Sequence, residues 1–202
     1  MANWDEDCPQ LEDNLKLLLR RIRHAAGRRE LPNVEIARRW HTEALHNLQV
    51  PNPKFVGAFR GEAGLEQVQV RIGARYGVAA TKVASELAHF ERTLQQVVRR
   101  LDELVPPGTE LNADQLAAIL EVCAWTHAEW VRIHPFVNCN GRTARLWVNS
   151  VALRYGLPPF LQLRPRPGGG YGIASEKAMG GDWEPTISAL QDLLADFLNS
   201  AS

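Results

Sequence analysis

The sequence predicts a mainly α-helical bundle interrupted by one β-hairpin. Three observations carry that reading. Apolar residues recur every three or four positions through residues 81–104, as one buried helical face requires. Proline and glycine clusters, such as Pro51–Pro53, Pro106–Gly108 and Gly156–Pro159, cut the chain into helix-sized pieces. One stretch, residues 67–73, instead alternates with a period of two.

Taken in order, Leu11, Leu15, Leu18, Leu19 and Ile22 form an apolar stripe that ends near Gly27. Asn33 is a good N-cap for a second helix through Ile36, Trp40 and Leu45. Val68, Val70 and Ile72 then alternate with Gln67, Gln69, Arg71 and Gly73, which reads as a β-hairpin, on local pattern alone an ordinary surface one. The next helix places Val83, Leu87, Phe90, Leu94, Val97, Leu101 and Leu104 on its inner face. Asp114 is the expected cap of a fourth helix reaching about Ile133, with Leu116, Ile119, Leu120, Cys123 and Trp130 inward. A fifth runs from about Gly141 to Tyr155. Residues 164–170, rich in Pro and Gly, read as a loop, and Pro185 suits the first turn of a last helix through Phe197.

The chain has 202 residues, 45% of them hydrophobic, which suits one core with at most a small appendage. Its formal net charge is zero, so no global field draws it to nucleic acid or a membrane surface. Neither a signal-peptide core nor a membrane-length apolar run is present, and Cys8, Cys123 and Cys139 match no disulfide or zinc pattern. A reducing cytoplasm is the expected setting, with delivery by a specialised secretion system left open.

The chemistry concentrates in residues 134–145, His-Pro-Phe-Val-Asn-Cys-Asn-Gly-Arg-Thr-Ala-Arg. A histidine, whose free pKa lies near neutrality, opens the run. A turn at Asn140-Gly141 leads into a helix start, whose free N–H groups attract anions. Arg142 and Arg145 lie one turn apart on that helix and add a fork for phosphate oxygens. His127, seven residues upstream, reads as a hydrogen-bonded core histidine, because no third metal ligand lies close.

This run resembles the motif of the Fic family, His-x-Phe-x-Asp/Glu-Gly/Ala-Asn-Gly-Arg-x-x-Arg, at His134, Pro135, Phe136, Asn140, Gly141, Arg142 and Arg145. It departs at Asn138, where the family usually has a carboxylate, and at Cys139, where it usually has glycine or alanine. The resemblance extends over roughly residues 34–197. It implies a Fic-type helical bundle with a β-hairpin flap over residues 34–202, preceded by a helical extension over 1–33. It implies transfer of AMP, or another phosphate-containing group, from a nucleotide such as ATP to a Ser, Thr or Tyr hydroxyl on a protein.

In that scheme His134 is the general base and Phe136 fixes the loop. Asn140 with the amides around Cys139, Gly141 and Arg142 holds the α-phosphate, while Arg142 and Arg145 hold the leaving pyrophosphate. Tyr171 stacks on the adenine or simply packs. The flap, from Gly57-Ala58-Phe59-Arg60 to Val68, Val70 and Ile72, holds the target by strand addition. Position 138 normally holds Mg²⁺. An asparagine brings no negative charge, so metal binding is expected to weaken.

Three outcomes stay open: a slow enzyme, a different donor or no protein-held metal, and a catalytically weak nucleotide- or partner-binding protein such as the toxin half of a toxin–antitoxin pair. A Cys139–His134 nucleophile pair is a fourth, bolder reading. No inhibitory Ser/Thr-x-x-x-Glu run is found. The closest, Thr42-Glu43-Ala44-Leu45-His46-Asn47, has His46 at the glutamate position, so a separate antitoxin-like protein would supply any brake.

Overall fold

The computed structural model describes residues 9–200. Cys8 and the acidic residues 1–7 lie outside that range. Seven α-helices are present among the described residues: α1 (Pro9–Ala26), α2 (Val34–Ala44), α3 (Ala80–Leu104), α4 (Ala113–Ile133), α5 (Asn140–Arg154), α6 (Gly170–Ala178) and α7 (Glu184–Ser200). One short hairpin, β1 (Arg71–Ile72) and β2 (Arg75–Tyr76), precedes α3. No helix among the described residues is long and apolar enough to cross a membrane.

Helices α4 and α5 form the centre, and the rest wrap them. α1 and α2 lie against α5, α3 and α7 against α4, and α6 bridges α4 and α7. The core is aromatic where these helices meet. Phe90 packs edge-on against Trp130 and Trp147, and Trp40 packs edge-on against Trp147. Each such ring is worth about 1.5–3 kcal/mol in burial alone. Leu11, Leu15, Leu18 and Ile22 of α1 join this same cluster. Asn14 ties α1 to the end of α2, donating to the carbonyls of Ala44 (3.1 Å) and His46 (2.8 Å).

Most predicted elements are present, with corrections. Asn33 caps α2, accepting from the Ile36 amide. On α3 the buried face is Val83, Leu87, Phe90, Leu94, Val98 and Leu101, while Val97 is 38% and Leu104 50% exposed. A straight helix drifts away from a seven-residue repeat, so the inner position moves from 97 to 98. Asp114 does not cap α4. Asn112, two residues before Asp114, does so in a capping box with Gln115.

The hairpin is shorter and later than the alternation suggests. Arg71 pairs with Tyr76 and Ile72 with Arg75. Val68 and Val70 precede the strand, although the Val70 carbonyl still accepts from the Gly77 amide at 3.1 Å. The Val68 carbonyl is taken by the Arg60 guanidinium instead of a ladder partner, which stops the pairing there. The loop read over residues 164–170 holds as far as Gly169, and its last glycine, Gly170, starts α6. A Gly-rich start carries no helical periodicity, so local pattern could not announce it.

Candidate active site

The site forms where α4 ends and α5 begins. α4 stops because His134 adopts left-handed backbone, φ 53°, ψ 57°, as its C-cap. α5 starts from Cys139, also left-handed at φ 67°. Two non-glycine residues in this region cost about 1–3 kcal/mol each, and the surroundings must hold them. Asn140 does much of that. Its side-chain oxygen accepts from the Phe136 amide and its amide group donates to the Phe136 carbonyl, both at 2.9 Å. Phe136 is fully buried, stacked on His41 at 4.0 Å and close to Phe59.

His41 was not singled out by sequence reasoning. Its Nδ1 accepts from the Gly57 amide at 3.0 Å, so the ring proton sits on Nε2, which faces the Asn138 carbonyl at 3.3 Å. Burial pushes its pKa down to about 4, with Arg142 adding to the effect. It joins α2, the flap entry and the motif loop as a neutral strut. No local signal marks it, because its partners are 16 and 97 residues away.

Arg60 has a similar role from the flap side. The residue is 1% exposed. Its guanidinium donates to the carbonyls of His134, Val68, Val78 and Ile133, and its amide to that of Pro135. Each charge-assisted bond of this kind is worth about 1.5–3 kcal/mol. Gly77 completes the seat: a Cβ there would come within 2.6 Å of the His134 Cβ and 3.0 Å of the Arg60 guanidinium.

His134 lines a cleft of about 1140 Å³, together with Asn138, Gly141, Arg142, Arg145 and Tyr171. Its Nδ1 faces the Val131 carbonyl at 3.1 Å. A carbonyl only accepts, so Nδ1 carries the proton and Nε2 keeps a lone pair. Burial pushes the His134 pKa down to about 4, and the nearby Arg60 charge acts in the same direction. The ring is therefore neutral at pH 7, in the tautomer a general base needs.

Asn140, Gly141, Arg142 and Arg145, at the start of α5, all line the cleft. Other expectations change. The Asn140 side chain is 2% exposed and spent on Phe136, so it shapes the loop instead of reaching a phosphate. The Cys139 amide is taken by the Asn138 side-chain oxygen at 2.6 Å, so the anion-facing amides at the start of α5 are those of Asn140 and Gly141. The Cys139 side chain is buried, which gives no support to a thiol nucleophile.

Tyr171 is 3% exposed. Its hydroxyl meets His127 Nε2 at 2.7 Å and Arg145 Nη1 at 3.5 Å. Packing is thus its role in this conformation, and no ring face is open for stacking. His127 is a core histidine, as expected, with its pKa pushed down to about 3 by burial and then by Arg145 and Arg166. Arg145 Nη2 donates to the Leu163 carbonyl at 2.9 Å. Among the flap positions, Ile72 borders the cleft whereas Val68 and Val70 do not.

A magnesium ion does not fit these residues. Asn138 is neutral, and its oxygen already accepts the Cys139 amide. Among the described residues, the one carboxylate lining the cleft, Glu176, belongs to α6 and not to the motif loop. No group of three or more His, Cys, Asp or Glu residues among those described could hold a metal. Magnesium relies on charged oxygen ligands.

Residues 32–152 match the family described as the Fic/DOC family. A segment of 42 residues is 48% identical to the protein adenylyltransferase Fic of Nematostella vectensis, covering 21% of this chain and 10% of that protein. A segment of 53 residues is 43% identical to the protein of the same name from Drosophila mojavensis, covering 25% of this chain and 11% of that one. The match thus spans about a tenth of the length of these relatives.

Solved structures share the fold. A Fic-domain-containing signaling protein from Bacteroides thetaiotaomicron superposes with a TM-score of 0.68 at 20% identity, covering 94% of this chain and 70% of that one. The effector protein BepC from Bartonella tribocorum, solved with bound AMPPNP, gives 0.57 at 18% identity, covering 95% and 87%.

Proposed function

Because the chain belongs to the Fic/DOC family, we propose that it transfers AMP from a bound nucleotide, ATP in the first instance, to a hydroxyl on a protein. The observation that carries this is the state of His134. Its Nδ1 proton is fixed on Val131, its Nε2 lone pair is available, and the ring borders the cleft that Arg142 and Arg145 also line.

In the proposed reaction the target hydroxyl gives its proton to His134 Nε2 while its oxygen attacks the α-phosphorus. The bond to the β-phosphate oxygen breaks, and pyrophosphate leaves. Charge grows on the leaving group, where Arg142 and Arg145 favour the transition state over the ground state. The helix-start amides of Asn140 and Gly141 hold the α-phosphate. The exposed edge of the short hairpin, next to Ile72, would align the target chain by strand addition. No step is routed through a metal. An antitoxin-like inhibitor, if one acts, would compete for Arg145.

Incubation with α-labelled ATP and a mixture of acceptor proteins tests the reading. His134→Ala should lose transfer by about 10²–10⁴-fold while keeping nucleotide affinity. Undiminished labelling by a folded His134→Ala protein would rule out the role given to this ring. Nucleotide binding without transfer in the wild type would favour the second reading, a weak or inactive nucleotide-binding member of the family. The neutral Asn138 specifically motivates that alternative.

A further inference from the structure

The cleft is strongly basic in a chain of zero net charge. Among the described residues, five arginines line it, Arg75, Arg142, Arg145, Arg164 and Arg166, against one carboxylate, that of Glu176. Only Arg142 and Arg145 belong to the motif. The other three come from the hairpin and from the loop between α5 and α6.

Their placement is specific. The Arg75 guanidinium crosses from the hairpin to the end of α6, where a Cβ on Gly180 would lie 2.9 Å from its Nη1. The missing side chain at position 180 is what admits it. Arg166 lies over the Tyr171 ring, 5.9 Å from its centroid. Arg145 is anchored beside the motif turn, with its Nη1 3.4 Å from a Cβ built on Gly141.

Three arginines elsewhere in the fold are held by carboxylates: Arg38 sits on Glu62, Arg132 on Glu86 and Glu129, and Arg154 on Asp102. Among the described residues Arg75, Arg145 and Arg166 make no ion pair. The histidines around the site register the same field. After burial, the charges that hold them neutral include Arg142 for His41, and Arg145 and Arg166 for His127.

We propose that Arg75, Arg164 and Arg166 complete, with Arg142 and Arg145, a guanidinium cradle that binds a nucleoside polyphosphate without a divalent cation. The inference rests on the reading that the cleft binds a nucleotide, and it explains how a site with Asn138 in place of a carboxylate can do so. A guanidinium supplies fixed positive charge and paired donors to phosphate oxygens, which is the electrostatic part of what a metal bridge offers. Affinity should grow with phosphate number, because the added arginines meet the polyphosphate and not the base.

The test is calorimetric titration of the full chain with ATP and with AMP, in EDTA and again in millimolar magnesium chloride. ATP is expected to bind in EDTA at least as well as in magnesium, and more tightly than AMP. A combined Arg75→Gln, Arg164→Gln, Arg166→Gln variant should lose about tenfold or more of its ATP affinity in EDTA, while AMP affinity changes little. Raising the salt should shrink the difference between wild type and variant.

ATP binding that requires magnesium would overturn the cradle and leave nucleotide binding standing. Equal ATP affinity in variant and wild type would overturn it as well. Absence of ATP binding under both conditions would overturn this inference and the proposed function together. Thermal unfolding of the variant without nucleotide, compared with that of the wild type, separates lost binding from lost folding.

Discussion

At the scale of single residues, position 138 decides most about the chemistry. Asparagine there keeps the loop bond to the Cys139 amide but supplies no charge. Aspartate is nearly isosteric, can accept the same amide, and adds the anionic oxygen that magnesium favours. Asn138→Asp should therefore raise magnesium-dependent transfer above wild type, with little gain when magnesium is absent. A magnesium titration with labelled ATP checks both halves. A variant that binds ATP yet gains nothing at any magnesium level would indicate that the site is not a weakened AMP transferase. The left-handed Cys139 is intelligible in the same terms. Its φ of 67° is a conformation that suits glycine, one of the two residues the family motif usually has there.

At the scale of elements, the hairpin and the motif loop are one mechanical unit. Arg60 reaches the carbonyls of Ile133 and His134 from the flap side, and Gly77 lets the returning chain pass directly over His134. Gly77→Ala should leave the helical bundle intact, because the clash is local to His134 and Arg60. It should reduce transfer by about tenfold or more, since an ångström-scale displacement of a reacting group can cost about 10²-fold. Circular dichroism and labelled transfer, measured on the same preparation, would separate the two effects. Wild-type activity in Gly77→Ala would mean that the flap and the base are not coupled as described.

At the scale of the whole molecule, three neutral histidines make the fold acid-sensitive. His41 and His134 are pushed down to about 4 and His127 to about 3, in each case chiefly by burial. In the unfolded chain they titrate near 6.5. The unfolded state thus binds more protons between these values. The stability these groups contribute is fully present above about pH 6.5 and is lost as pH falls toward 4 and 3. Each group can cost up to about 1.4 kcal/mol per pH unit inside its window. His134, which reaches the cleft, should contribute least. Urea unfolding at pH 7, 6 and 5 should show midpoints dropping from the first step below 6.5. A flat profile down to pH 5 would contradict neutral, buried rings at His41 and His127.

The helical bundle, its main boundaries and the run from His134 to Arg145 were legible in the sequence. Each rests on short-range physics: an apolar face with a period near 3.6, caps within one turn, and anion-binding groups twelve residues apart at most. Tertiary structure alone decided the rest. The capping switch from Asp114 to Asn112, the shortened hairpin and the glycine-led α6 each turn on which partner a backbone group finds in space. So do the struts. His41 and Arg60 bond to groups as many as 97 and 74 residues away, a separation at which no periodicity operates. The fate of Asn140, Cys139 and Tyr171 follows the same rule. Local pattern says which donors and acceptors a segment offers, whereas the fold decides which of them are already spent.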